Sequence, residues 1–511
     1  MYGHHSSPLY ARHKREQFLL NMLSGGFKYS KSISAHTNCV NAIGFSKPAG
    51  RWMASAGDDT NLFLWDTFQD DFHVSPTPAF RLATEARKNV LALAFNASND
   101  KIYSVGTHSQ LVEYDISRQV SGQNHPATFA SQGPQIARSD EGDRIQHMRE
   151  YGREDTIYSV STHPTHPNLV MTAGEEGLVR LHDLRSPGTT FPSMEGFVVR
   201  NSEINDAQWC PAPDASHSFI VAQRNGDVCL LDSRMAFSTS INPAENPENV
   251  IHRYATWVAK VGSNSCWGPE PSSVAFSSDG MRIAITLKDF TPVLYDTFNV
   301  APLTQLCAFL GNADSPRVGS YSNSCTVKHG SFGGAGLGLP EDYCAGSDDF
   351  KVYAWTIPSR DAMERTVHHR QSNQWLSETD ASHVGFVSPD NPHRVAIPSR
   401  PRQPNFILGG HRSIVNTAAF HPVLPLIFTS GVESHVQMHS VRPLPGGRLS
   451  EPAELSRSLP PSSLLSRISF RAAAYGVDSL SREEIQLYRE IPREDRTIFM
   501  FDEYECSQYA K

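Results

Sequence analysis

Several things are missing from this sequence, and each absence narrows its role. No pair of cysteines stands at C-x-x-C spacing, and the eight cysteines follow no regular interval. They read as reduced, mostly buried thiols of an intracellular protein rather than a disulfide framework. No apolar run approaches the ~18 residues that a membrane-spanning helix requires. The opening MYGHHSSPLYARHKREQ lacks the basic-then-apolar order of a secretory signal. Basic residues are not in excess: 45 Lys and Arg stand against 53 Asp and Glu, a net charge of −8. That balance supplies no basic stripe for nucleic acid or an anionic membrane. The expectation is a soluble protein of the nucleus and/or cytoplasm whose partners are other proteins.

Signatures of chemistry are equally sparse. HPTHP at 163–167 sets two His around a turn, and its prolines forbid a helical ligand pair. GGAGLGLP at 333–340 is glycine-rich like a phosphate loop, but no Lys-Ser/Thr follows and no helix opens there. G-x-S-x-G does not occur. No catalytic residue, cofactor or metal site is therefore expected.

What the chain does have is a repeat, and with 39% hydrophobic and 10% aromatic residues it has the means to bury a large core. AHTNCVNAIGFSKPAGRWMASAGDDTNLFLWD (35–66) holds three short strand-like pieces separated by turn residues. Six related units follow, ending at Asp115, Asp183, Asp232, Asp296, Thr356 and Ser440. Seven positions before each end stand Asp59, His108, Glu176, Asn225, Asp289, Asp349 and Glu433, all polar, as a tight turn between strands demands. One position before each end stand Trp65, Tyr114, His182, Leu231, Tyr295, Trp355 and His439, mostly large rings. An arbitrary phase would not align both columns, and the repeat overrides the several-domain prior that length alone gives. Each unit offers three strands and takes a fourth from the lead-in of the next. The last therefore lacks one unless FKYSKSISA (27–35) returns to supply it, which would remove the open edges.

Two adjacent units end alike, in Asp183-Leu184-Arg185 and Asp232-Ser233-Arg234; a third, Ser440-Val441-Arg442, keeps only the Arg. Residues two apart share a face of a strand. The Asp can thus hold the turn while the Arg projects from the rim, where its planar fork suits a partner's acceptors. The competing reading is two ordinary solvated charges.

Long insertions are expected at about 117–155, 235–270, 297–325 and 357–405. Residues 7–24 read as a helix, capped at Ser7, with Pro8 in its first turn and Gly25–Gly26 at its end. It packs either on its own ring or on a partner. After residue 441 comes a Pro/Ser linker and a helix with Ser481 and Glu484 as a capping box. Pro492 breaks that helix before an acidic-aromatic end with Phe499, Phe501 and Tyr504, which either packs back or binds elsewhere.

The first unit, with His36, Ser55, Asp59 and Trp65–Asp66, resembles the WD-repeat family, whose units are four-stranded blades of a β-propeller. The resemblance implies an all-β fold, a seven-bladed WD-repeat β-propeller with an N-terminal helix and a C-terminal helical tail. Its segments would be 1–26, 27–441 and 442–511. It also implies a buried hydrogen-bond chain from His36 through Asp59 to Ser55 and Trp65, a structural tetrad. The seventh unit follows the scheme loosely with His411, Glu433 and Thr429, and with His439 in place of Trp. Tandem WD-x-Arg endings in consecutive blades are in turn similar to those of the WD-repeat substrate receptors of cullin-4 RING ubiquitin ligases. TPVLYDTF (291–298), YCAGSDDFKVYAWTIP (343–358) and GHRSIVNTAAFHPVLPLIFTSGVES (410–434) extend the likeness to a member of that family. By resemblance, then, Arg185 and Arg234 would face the ligase adaptor while Asp183 and Asp232 set the turns. An unidentified protein client would bind elsewhere, with neither nucleic acid nor membrane as a direct partner. In this chain His182 and Leu231 stand where those receptors carry Trp. The other reading is a general WD-repeat scaffold that assembles a different nuclear or cytoplasmic complex.

Overall fold

A computed structural model describes residues 17–23, 25–83, 88–107, 110–117, 148–150, 155–185, 196–242, 249–262, 265–306, 321–379, 384–449, 464–475 and 479–491. Eight antiparallel-based sheets form from these residues, and seven of them carry the seven units. Unit 1 shows the plan: Val40–Phe45, Trp52–Gly57 and Asn61–Asp66 pair in succession, and Phe80–Ala83 adds the outer strand. Its second strand, WMASAG, is buried at every position, as a strand covered on both faces should be. SFIVAQ (Ser218–Gln223) and LIFTSG (Leu426–Gly431) match it in units 4 and 7.

The first strands of the units touch one another in chain order, and Val415–Phe420 of the last touches Val40–Phe45 of the first. The sheets therefore close into a ring, and the chain is an all-β, propeller-like protein. Six first strands carry a one-residue bulge at their second position, at Asn41, Leu91, Tyr158, Asn205, Ser272 and Asn416. Bulges steepen local twist, and here they also turn polar atoms toward the next sheet. Asn41 Nδ2 donates to the Val90 carbonyl at 3.0 Å, and Asn205 Nδ2 to that of Pro271 at 2.8 Å.

Burial follows the seams. Each junction between neighbouring sheets has its own apolar cluster, from Ala54, Leu64, Ile102 and Val112 between units 1 and 2 to Met53, Trp65, Phe428 and Met438 between units 7 and 1. That last seam is sealed by Tyr29–Ser34, which pairs antiparallel with His435–Ser440 from Tyr29↔Ser440 to Ser34↔His435. The strand expected at 27–35 thus returns to unit 7.

The insertions differ from their sequence outline. Outer strands Met148–Glu150, Val250–Arg253 and Pro302–Leu306 lie inside three of them, too short to show alternation. Two insertions also meet in an eighth sheet of their own. Trp257–Ala259 and Cys266–Trp267 come from one; His368–Gln371, Gly385–Ser388 and Asn391–Ile397 come from the other. One face of this sheet sets Phe386 and Val258 on the seam of units 4 and 5. On the other, Trp375 covers Ala259, Val387, Val395 and Ile397, and its Nε1 donates to the Lys260 carbonyl at 3.0 Å.

At the N-terminal side, residues 17–23 are helical, and Leu23 packs with Phe27 and Phe406 beside units 6 and 7. Toward the other end, Leu464–Tyr475 and Arg482–Glu490 pack together through Ile468, Ala472 and Leu480. Ser481 and Glu484 form the capping box there. The helix start at Ser7 and Pro8, and the stretch with Pro492, Phe499, Phe501 and Tyr504, lie outside the described residues. Among the described residues no helix is long and apolar enough to cross a membrane.

A candidate docking face

All third strands end on one face of the ring, and in six of the seven units the turn that follows is built the same way; unit 6 ends in Thr356-Ile357-Pro358, whose proline has no N–H to give. The carboxylate of Asp66 accepts the backbone N–H of Phe68 at 3.1 Å. Asp115 does the same for Ser117 at 2.9 Å, Asp183 for Arg185 at 3.2 Å, Asp232 for Arg234 at 2.9 Å and Asp296 for Phe298 at 2.8 Å. Ser440 uses its hydroxyl on Arg442 at 3.1 Å. The Asp is therefore a fold element, an Asx turn that stops the strand. Between anchor and displayed residue the middle side chain points inward. Buried Thr67 and Thr297 donate to the carbonyls of Gly50 and Gly280 at 2.9 and 2.7 Å. The residue two past the Asp is displayed, and its identity is what varies.

In units 3 and 4 it is Arg. Arg185 Nε donates to both Asp183 oxygens at 2.9 and 3.0 Å, and Nη2 adds a second contact. Arg234 Nε does likewise to Asp232 at 3.0 and 3.2 Å, with Nη2 at 2.5 Å. The Arg234 hydrogen bond outweighs partial burial and holds the Asp232 carboxyl below the usual carboxylate range. Both Arg side chains stay exposed, at 70% and 67%, so the fork is oriented without being buried. Other units bring the cation from elsewhere: Arg51 pairs with Asp66 at 2.9 Å and Arg360 with Asp296 at 2.6 Å. There the displayed residue is Phe68 or Phe298. The repeated Asp66-Thr67-Phe68 and Asp296-Thr297-Phe298 are a second paired ending, inconspicuous in the sequence because the displayed residue carries no charge.

The four tetrad residues of unit 1 meet in the interior. His36 Nδ1 lies 3.0 Å from both Asp59 oxygens, and His36 Nε2 lies 2.8 Å from Ser55 Oγ. Trp65 Nε1 donates to Ser55 Oγ at 2.9 Å. Unit 7 repeats the chain with Glu433 and Thr429, each 2.7 Å from His411, and His439 Nε2 at 2.8 Å from Thr429 Oγ1. Unit 3 keeps its last link, Thr172 to His182 Nε2 at 2.9 Å. The link needs both partners: Leu231 stands ten after Val221, and Tyr295 and Trp355 stand ten after Ile285 and Ala345, so these three units have no hydroxyl at that position to bond. His411, Glu433 and His435 could converge on a cation, their ligand atoms lying within 4.8 Å of one another. However, both His411 nitrogens already serve the buried chain.

His163 of HPTHP caps its turn, Nδ1 accepting from the N–H of Thr165 and His166 at 3.2 and 3.1 Å. His421 does the same for Val423 and Leu424 at 3.2 and 2.9 Å. Burial pushes both imidazoles down to about 4. GGAGLGLP joins Ser331–Gly333 to Asp342–Gly346 through one short turn of helix.

The family model described as WD domain, G-beta repeat matches residues 27–66. The human protein named DDB1- and CUL4-associated factor 5 is 26% identical over 418 residues, covering 82% of this chain and 34% of its own length. The mouse protein of that name gives the same figures. The chain thus spans about a third of the length of these curated relatives.

Proposed function

We propose that this chain is a non-catalytic substrate receptor of a cullin-4 RING ubiquitin ligase, working in the nucleus or cytoplasm. In this reading it docks on the DDB1 adaptor through the face just described and holds a protein client elsewhere. The observation that carries it is the pair of neighbouring turns that aim exposed guanidinium groups from one face. The Asp of each turn is needed by the fold, whereas the Arg is not: the backbone N–H alone closes the turn, and unit 2 manages with Ser117. A charged fork that the fold does not require, repeated on adjacent sheets, is what recognition of a partner's carboxylates and carbonyls calls for. The names of the relatives supply the partner's identity.

The test is affinity purification of tagged chain, wild type beside Arg185→Ala/Arg234→Ala, with partners identified by mass spectrometry. DDB1 and CUL4 should come with the wild type and be lost from a double variant that melts at the same temperature. Equal recovery would remove the two Arg from the contact and point to the N-terminal helix. If neither protein accompanies the wild type, the receptor reading is wrong and a scaffold for another complex takes its place.

A further inference from the structure

The turn that displays Arg185 and Arg234 displays Phe298 at the same position of the next sheet, and the fold gives that phenyl ring no task. The Asp296 carboxylate is already supplied with the backbone N–H at 2.8 Å and the Arg360 guanidinium at 2.6 Å. Thr297, not Phe298, fills the interior beneath the turn. The equivalent Phe68 of unit 1 does have work, lying 6.1 Å from the His421 ring; no ring partner accompanies Phe298 among the described residues. Phe298 is 44% exposed, much as Phe68 is at 45%, and Met235, next to Arg234, is 63% exposed. A single surface phenyl would mean little. Here three consecutive sheets present Arg, Arg and Phe from one register-locked position, with an exposed Met following the second Arg.

We infer that the docking surface does not end at the two Arg but runs on to unit 5, with Phe298 as its apolar anchor. This rests on the receptor reading above, and the occupant is the same adaptor. Its surface must offer acceptors for two guanidinium groups and, one sheet further along, an apolar recess that takes a phenyl ring. The composition fits: aromatic residues, Met and Arg are enriched in interface cores, and a desolvated ring carries a large share of the binding energy. The contact extends toward unit 5 rather than unit 2, because unit 2 displays Ser117, which offers neither charge nor apolar area.

Binding of the purified chain to purified adaptor would be measured by surface plasmon resonance, with thermal melts of every variant. Phe298→Ala should weaken binding by about tenfold or more, mostly through a faster off-rate. Phe298→Leu should restore most of the affinity, and Phe68→Ala, the same change in the same kind of turn two sheets beyond Arg185, should change it less than about twofold. If Phe298→Ala binds like wild type while Arg185→Ala/Arg234→Ala does not, the extension is wrong and the receptor reading stands. Loss with Phe298→Ala but not with the Arg pair would support the apolar anchor and sink the Arg contact. Absence of any wild-type binding overturns both.

Discussion

Replacing Ser55 by Ala removes one oxygen from the interior of unit 1 and should cost far more than its size suggests. With Asp59 ionised, the proton of a neutral His36 sits on Nδ1, facing the carboxylate. Nε2 then accepts from the Ser55 hydroxyl, whose oxygen in turn accepts from Trp65 Nε1. Ser55 is fully buried and His36 nearly so. The substitution therefore leaves one donor and one acceptor without partners where water cannot replace the lost oxygen. At about 1–3 kcal/mol for each orphaned group, the loss is ~2–6 kcal/mol, against only a few tenths for the volume change. In a domain of this size that is roughly 2 °C of melting temperature per kcal/mol, or a fall of about 4–12 °C. Thermal unfolding followed by tryptophan fluorescence reads it directly. Trp65→Phe removes the donor but leaves Ser55 bonded to His36, and should cost less per polar group lost. A melting temperature within about 1 °C of wild type for Ser55→Ala would refute the argument, because the chain of bonds would then be incidental to stability.

Three further outcomes follow from the packing and the buried histidines. Burial holds His163 and His421 down to about 4 and His439 to about 3. Their folded pKa values lie below the unfolded ~6.5, so the unfolded chain binds more protons between pH 6.5 and 4. Stability present above pH 6.5 is therefore lost as pH falls through that window, by up to about 1.4 kcal/mol per pH unit for each histidine. A denaturant midpoint independent of pH over this range would contradict it. Gly57→Ala would place a Cβ 1.9 Å from the Cys39 carbonyl and should abolish soluble expression, whereas Gly25→Ala, whose nearest atom is the Lys28 amine at 3.9 Å, should be tolerated. Trp375→Ala should cost the eighth sheet about 3–5 kcal/mol of local packing. Limited proteolysis would then cut within 357–405 while the ring stays intact; a resistant variant would argue against Trp375 as the anchor.

Much of this architecture is written locally. Strand ends, the turns between second and third strands at Asp59 or Glu433 and the inward ring at Trp65 follow from side chains within a single unit, where periodicity and turn chemistry act. The return of 27–35 was legible because an unfilled strand position elsewhere demanded it. The eighth sheet was not: Trp257–Ala259 finds Gly385–Ser388 across the whole of units 5 and 6, and neither segment alternates enough to announce a strand. Phe298 was hidden for a different reason. Charge is conspicuous in a search for a docking surface, whereas an exposed Phe looks like core until the turn beneath it is seen to be filled by Thr297.

Ring closure also sets a clock. Tyr29–Ser34 leaves the ribosome early, but its partner His435–Ser440 follows only after nearly the whole ring. At about 5–20 residues per second, roughly 20–80 s of synthesis separate the two. Throughout that interval the nascent chain carries an unmatched strand ahead of unit 1 and one open seam, with Met53 and Trp65 waiting for Phe428 and Met438. A message truncated before His435 would yield six units that can pair internally and a wound that never closes. Such a product is a ready substrate for chaperones and proteases, so the seam gives the cell a physical means of telling finished molecules from unfinished ones.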